Sequence, residues 1–280
     1  MTIWKPHLIR ESLVKKSKEL GLRLPQMQML LAQERFLARL LTLEEGKHFI
    51  WKGGSLFLRE YSTLETPRYT VDIDLLLRGI DFKKTLNILN KACDISLEDG
   101  FEFNEIISTP MERETPYGGD RFQINWKMFG KSQSETLKLD VCAGDVVTSI
   151  KKDFSKLSIL PDSDDFNLSA NIYPAEFIFA EKLETLFRFG TGNTRCKDLI
   201  DLWSLTRFNM DDAKLRKAVT ACFENRSQVF SLVRAEEILH DEFFVKNMKR
   251  LAGANFSNLE IPEFSTISTE LITYLKEKLK

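Results

Sequence analysis

Two aspartates, Asp72 and Asp74, stand two positions apart in the apolar run TVDIDLLL. On an extended strand, residues i and i+2 point to one face about 6–7 Å apart, given a rise of about 3.3 Å per residue. Carboxylates at that spacing can converge on one or two Mg²⁺ (or Mn²⁺) ions and leave coordination positions open for substrate phosphates. Val71, Ile73 and Leu75 alternate with them, and two acids beside so apolar a stretch lose hydration and call for a cation. Upstream, Lys52-Gly53-Gly54-Ser55 combines a cation with a glycine pair and a hydroxyl at a helix start, where backbone N–H groups can cradle phosphate. Lys52, Gly54 and Ser55 are the candidate nucleotide-binding residues of this half. Asp140 alternates with Leu139 and Val141 and shares a strand face with Lys138 and Cys142. If its strand lies beside that of Asp72, three carboxylates meet. That set suits two-metal phosphoryl or nucleotidyl transfer, in which one aspartate can draw the proton from the attacking hydroxyl. Plainer readings stay open. Asp-x-Asp also fits a solvated strand end, Asp140 also fits an edge strand facing water, and Asp145 competes for the third place.

A second group lies in the C-terminal half. Lys182 is flanked at helical spacing by Ile178, Phe179, Leu183 and Leu186, so it either snorkels to the rim or meets an anion. Arg188, Arg195, Lys197, Asp198 and Asp201 gather around one turn and helix start. Asp198 and Asp201, spaced i and i+3, share a helix face. Interhelix salt bridges would explain these charges equally well.

The elements that must position these residues follow from periodicity. Pro6 to Leu20 and Pro25 to about Leu43 read as helices with proline near the first helical position and Gly21 and Gly46 as stops. HFIWKGG reads as a strand entering a tight turn, GSLFLREY as a helix launched from it, and TVDIDLLLRG as a strand. Phe82 to Leu97 returns to helical spacing. FEFNEIIS, DRFQINWKMF and ETLKLDVCAG follow as strands, separated by turns at Tyr117-Gly118-Gly119-Asp120 and Gly130-Lys131-Ser132. Beyond about residue 150 the strand signal thins, and LPDSDDFNLSAN reads as a polar connection. Pro174 opens a helix closed by Gly190, and all that follows is helical, with RAEEILHDEFFVKNMKRLAG as one segment. The expected fold class is α+β: a mixed sheet with helices over 1–165, including the N-terminal helices, and a helical bundle over 166–280.

Composition narrows the function. The 280 residues carry 40 Lys+Arg against 41 Asp+Glu, a net charge of −1, which argues against non-specific coating of nucleic acid. Cys93, Cys142, Cys196 and Cys222 form no CxxC pair, as expected of reduced thiols in a cytoplasmic protein. No apolar run is long enough for a membrane span, and the N-terminus lacks the pattern of a signal peptide. His7, His48 and His240 are scattered, so chemistry must lean on carboxylates and lysines, not on a histidine-held metal or a Ser–His–Asp triad.

Taken in order, FIWKGGSLFLREY, TVDIDLLL, LKLDV, YPAEFIFAEKLETLFRFG and CKDLIDLW resemble the AbiEii family of nucleotidyltransferase toxins from bacterial type IV toxin–antitoxin pairs. The resemblance implies a nucleotidyltransferase fold and transfer of a nucleotide from an NTP to an acceptor, expected to be tRNA. It also implies a separately encoded antitoxin partner. Carried over by position, Gly54 and Ser55 hold the triphosphate, and Asp72 and Asp74 bind metal with Asp140 as third carboxylate. Lys182 neutralises phosphate charge with Arg188 and Lys197 nearby, and Asp198 or Asp201 completes the site. The sixteen residues between Ser55 and Asp72 exceed the family's usual spacing, the excess falling in a surface loop at Thr63-Leu64-Glu65-Thr66-Pro67. A small-molecule or protein acceptor, or a non-catalytic nucleotide-binding module, is the alternative. A sugar-nucleotide glycosyltransferase would need an early repeated β–α pattern that is missing here.

Overall fold

A computed structural model describes residues 4–63, 69–111, 118–145, 147–160, 168–255 and 261–279. The chain divides into two units, one of Met1–Glu60, Tyr69–Gly144 and Ser149–Tyr173, the other of Tyr61–Arg68, Asp145–Thr148 and Pro174–Lys280. Among the described residues ten helices accompany one seven-stranded mixed sheet, an α+β fold.

The first unit holds the sheet. Its helices are α1 (Pro6–Leu20), α2 (Leu24–Thr42), α3 (Gly53–Leu56) and α4 (Thr85–Asp94). Its strands are β1 (Phe49–Lys52), β2 (Asp72–Leu77), β3 (Phe101–Pro110), β4 (Gly119–Met128), β5 (Glu135–Cys142), β6 (Ile150–Asp153) and β7 (Ser169–Ile172), in the order β3-β4-β5-β2-β1-β7-β6. Period-two alternation sorts the sheet's faces. Ile73, Leu75, Leu137, Leu139, Val141, Phe122, Ile124 and Trp126 are all buried, and α2 packs on β3 and β5 on that side. Register partners across strands share a face, so the intervening polar residues of β2, β4 and β5 collect on the opposite one. A buried ion cluster fixes α2 to the start of β3. Arg35 Nε and Arg39 Nη2 each lie 2.7 Å from an Asp99 oxygen, and Arg39 also donates to the carbonyls of Ile95 and Phe101. Burial pushes the Asp99 carboxyl up, but Arg39 and Arg35 outweigh it and leave it below the usual carboxylate range.

Several elements depart from the periodicity reading. Gly21 does close α1 with φ 64°, but α2 stops at Thr42, before Gly46. Gly46 lies in a 3-10 turn, Glu44–His48, where a Cβ would sit 2.4 Å from the Leu40 carbonyl oxygen, so close approach and not helix termination demands glycine. The segment from Phe82 opens as a 3-10 turn capped by Asp81, and α4 ends at Asp94, before Leu97. The stretch after residue 150 is not strand-free. β6 and β7 pair antiparallel, and β7 inserts parallel to β1 with Ile172 buried opposite Trp51. Strands of four residues are too short for alternation to declare them. The connection before β7 falls largely on 161–167, outside the described residues, as do 64–67 of the expected surface loop and Tyr117 of one turn.

The second unit is helical: α5 (Ala175–Phe189), α6 (Cys196–Leu205), α7 (Asp212–Asn225), α8 (Leu232–His240), α9 (Glu242–Asn255) and α10 (Phe264–Lys278). Pro174 stands at the N-cap of α5 and Gly190, φ 53°, at its end. The segment read as one helix around residue 240 is two, because Asp241 breaks α8 and its carboxylate accepts from Phe244 N at 2.7 Å to start α9. Phe187 and Phe223 meet edge to face, centroids 5.2 Å apart, in a core that includes Phe179, Leu183, Leu215 and Leu271. Among the described residues no helix is long and apolar enough to cross a membrane.

Candidate active site

In the first unit, β2 pairs parallel with β5 and antiparallel with β1, and β5 pairs antiparallel with β4. The registers place Asp74 opposite both Asp140 and Lys52, and Asp140 opposite Arg121. One row across the sheet therefore reads Arg121, Asp140, Asp74, Lys52, and the adjacent row reads Gln123, Lys138, Asp72. The conditional expectation about Asp140 is met in its geometry, since its strand is the immediate neighbour of the Asp72 strand. Asp145 is not in this row. It follows β5, belongs to the helical unit, and has Arg226 Nη2 at 3.7 Å.

The glycine turn reaches the same row. Gly53 opens α3 with φ +72°, and a Cβ built on it would fall 1.8 Å from Asp74 Oδ2. The backbone of the turn thus lies directly against the Asp74 carboxylate, and only glycine allows both the left-handed backbone and that approach. The N–H groups at the start of α3 have no acceptor within so short a helix and suit an anion.

Behind the turn, Trp51 Nε1 donates to Ser55 Oγ at 2.8 Å, and Ser55 is fully buried. The Ser55 side chain thereby braces the turn from the core side. Arg59 donates to the carbonyls of Ser55 and Leu30 at 3.0 and 2.8 Å, tying the widened turn that follows α3 back to α2. Lost hydration pushes the Arg59 guanidinium down to about 10, with Glu34 opposing the shift. Lys52 donates to the Tyr173 hydroxyl at 3.3 Å and rests over its ring. Trp51, Arg59 and Tyr173 were not singled out from sequence, because only the folded turn brings them to it.

Arg121 is the residue the sequence reading missed altogether. Its Nε and Nη2 each donate to one Asp140 oxygen at 2.7 Å, a bidentate pair. Hydrogen bonding and charge from Asp140, then the charges of Asp72 and Asp74, raise its already high pKa further, so it stays a cation at any working pH. Its alternation with Phe122 and Ile124 marked it as facing away from the core, but its partner depends on the β4–β5 register.

Asp72 and Asp74, half-buried on one face with the glycine turn against Asp74, fit a divalent cation by donor chemistry and by the cradle that a Cβ would fill. Asp140 lies beside them but has both oxygens bonded to Arg121. Among the described residues no group of three or more His, Cys, Asp or Glu side chains is arranged to hold a metal ion.

The helical unit brings a second set together. Lys182 Nζ on α5 lies 2.8 Å from both Asp198 Oδ1 and Asp201 Oδ2 on α6, and Arg195 Nε lies 2.5 Å from Asp198 Oδ2. The side chain of Asp201 is fully buried and that of Asp198 nearly so. Burial pushes the Asp198 carboxyl up, but Lys182 and Arg195 overcome it and hold it far below the carboxylate range. Lys182 meets anions supplied by its own unit, and does not snorkel. Arg188 lies 3.7 Å from the buried Glu184 and over the Phe189 ring, while Lys197 is exposed on α6.

A family model for the AbiEii nucleotidyl transferase toxins of type IV toxin–antitoxin systems matches residues 35–270. The chain belongs to that family. As an AbiEii member it is a nucleotidyltransferase, and membership implies an NTP substrate and an antitoxin partner. Two solved structures share the fold. One is JHP933 from Helicobacter pylori, 18% identical, covering 89% of this chain and 90% of that one at a TM-score of 0.50. The other is a protein from H. pylori whose assignment as a nucleotidyltransferase is provisional, 18% identical, covering 89% of this chain and 97% of that one at a TM-score of 0.54. A search of curated proteins finds no match. All five sequence segments that suggested the AbiEii family fall within the matched span.

Proposed function

We propose that this AbiEii protein transfers a nucleotide from an NTP to the acceptor end of tRNA, in the cytoplasm, in a Mg²⁺- or Mn²⁺-dependent reaction. The observation that supports the reading is the close approach of Gly53 to the Asp74 carboxylate, a glycine turn lying against an acid pair. Asp72 and Asp74 would hold the metal, which would supply positive charge to offset the triphosphate and activate its α-phosphorus. Gly54 and Ser55 present backbone N–H groups to the phosphates, and Lys52, at the end of the row, adds positive charge beside them. Attack by the acceptor oxygen forms one P–O bond as the bond to pyrophosphate breaks, and an aspartate of the row takes the hydroxyl proton. In the helical unit, Asp198 and Asp201 hold Lys182 in a closed ion cluster.

Incubation of the purified protein with labelled NTPs, Mg²⁺ and total tRNA tests the reading. Label should appear on tRNA with wild type and vanish with Asp74→Asn. Label on a small molecule or on protein would move the acceptor to that class, and no transfer to any acceptor would leave a binding module.

A further inference from the structure

The row Arg121, Asp140, Asp74, Lys52 has a cation at each end and two acids between. Arg121 is placed unlike Lys52. Its fork spends two donors on both oxygens of one carboxylate, the geometry in which guanidinium–carboxylate pairs are strongest. A carboxylate so held has one lone pair of each oxygen already engaged by the guanidinium and fewer left for a cation. Yet the pair is not locked in. The Arg121 side chain is 40% exposed, so the guanidinium can turn out to water, and Asp140, 16% exposed beside another acid, then calls for a different cation.

We propose that Arg121 is a positioning residue that competes with the divalent cation for Asp140 and thereby sets the metal affinity of the row. This rests on the metal assignment of Asp72 and Asp74 made above. With Arg121 on Asp140, the row binds metal through two carboxylates. With Arg121 turned away, the third becomes available, at the position where the strand register already sets it opposite Asp74. Arg121 also repels an incoming cation directly, since Asp72 and Asp74 lie within its field. A purely structural cross-strand pair would steady the sheet and leave metal affinity alone.

The test is Mn²⁺ binding to the full chain, followed by electron paramagnetic resonance without nucleotide or acceptor. Arg121→Ala should tighten binding by about tenfold, the scale on which outer-sphere partners tune metal sites. Arg121→Lys, which keeps the charge but loses the fork, should tighten it by less and serves if the alanine variant does not fold. The double variant Arg121→Ala/Asp140→Asn should lose the gain. Unchanged or weaker Mn²⁺ binding in both Arg121 variants overturns the proposal, as does a gain that survives Asp140→Asn. Asp74→Asn separates this from the parent reading. If it abolishes Mn²⁺ binding while the Arg121 variants bind like wild type, only the competition fails. If it leaves Mn²⁺ binding intact, the metal assignment and the competition fail together.

Discussion

On the sheet, Asp72, Asp74 and Asp140 share a half-open face, drawn from neighbouring strands, with Arg121 bonded to the third acid. In the helical unit, Asp198 and Asp201 sit one turn apart on a single helix, almost wholly buried, with Lys182 between them and Arg195 outside. The first arrangement concentrates negative charge where solvent and ligand can reach it. The second closes its charges on one another, two acids against two cations, in a place where an unpaired charge is costly. Clusters that look alike as residue lists thus differ in what a substitution should disturb: chemistry in one, folding in the other.

Four experiments break or sharpen that contrast. The largest effect should come from Asp74→Asn, which we expect to slow transfer by roughly a thousandfold or more, ~4 kcal/mol of barrier, with thermal unfolding almost unchanged. A loss of fold instead would move the sheet acids into the structural class. Gly53→Ala should cost roughly a hundredfold in rate, because its Cβ would displace the Asp74 carboxylate, and about 1–3 kcal/mol of stability for the left-handed backbone. Denaturant titration beside the transfer assay separates the two losses. Asp201→Ala should destabilise by about 3 kcal/mol, since Lys182 keeps Asp198 but loses a fully buried partner. A variant as stable as wild type would show that the helical cluster is not structural.

The fourth uses pH and carries the smallest effect. Asp198 has its folded pKa depressed below the unfolded value of about 3.9. Its contribution to stability is therefore complete above that value and lost as pH falls through the depressed folded one. Acid unfolding of Asp198→Asn should be flatter below about pH 4 than that of wild type. The exposed Lys197 gives the control: Lys197→Ala should shift stability by no more than about 0.5 kcal/mol.

Much of this was readable in the chain. The Asp72/Asp74 spacing, the glycine turn before α3, the three long strands and the Pro174–Gly190 helix all rest on local chemistry, where a few neighbouring residues decide the outcome. The failures share a cause as well. β6 and β7 are too short to show a period, and β7 is a strand because β1 offers it a partner far away in sequence. Gly46 looked like a helix stop, yet what it answers to is the approach of the Leu40 carbonyl. The division of one apparent helix at Asp241 was legible in principle, since an aspartate three residues before Phe244 is an ordinary cap.

By itself, then, the order of residues determined which side chains share a strand face or a helix face, because alternation and helical pitch are properties of the backbone alone. Tertiary structure decided which faces meet. It set Asp140 beside Asp74, gave Asp140 to Arg121, enclosed Lys182 between two acids and pressed Gly53 onto a carboxylate. The reason is range: strand pairing and helix packing join residues that lie far apart along the chain, and one step of register would have sent every one of these charges to the opposite face of the sheet or to another partner.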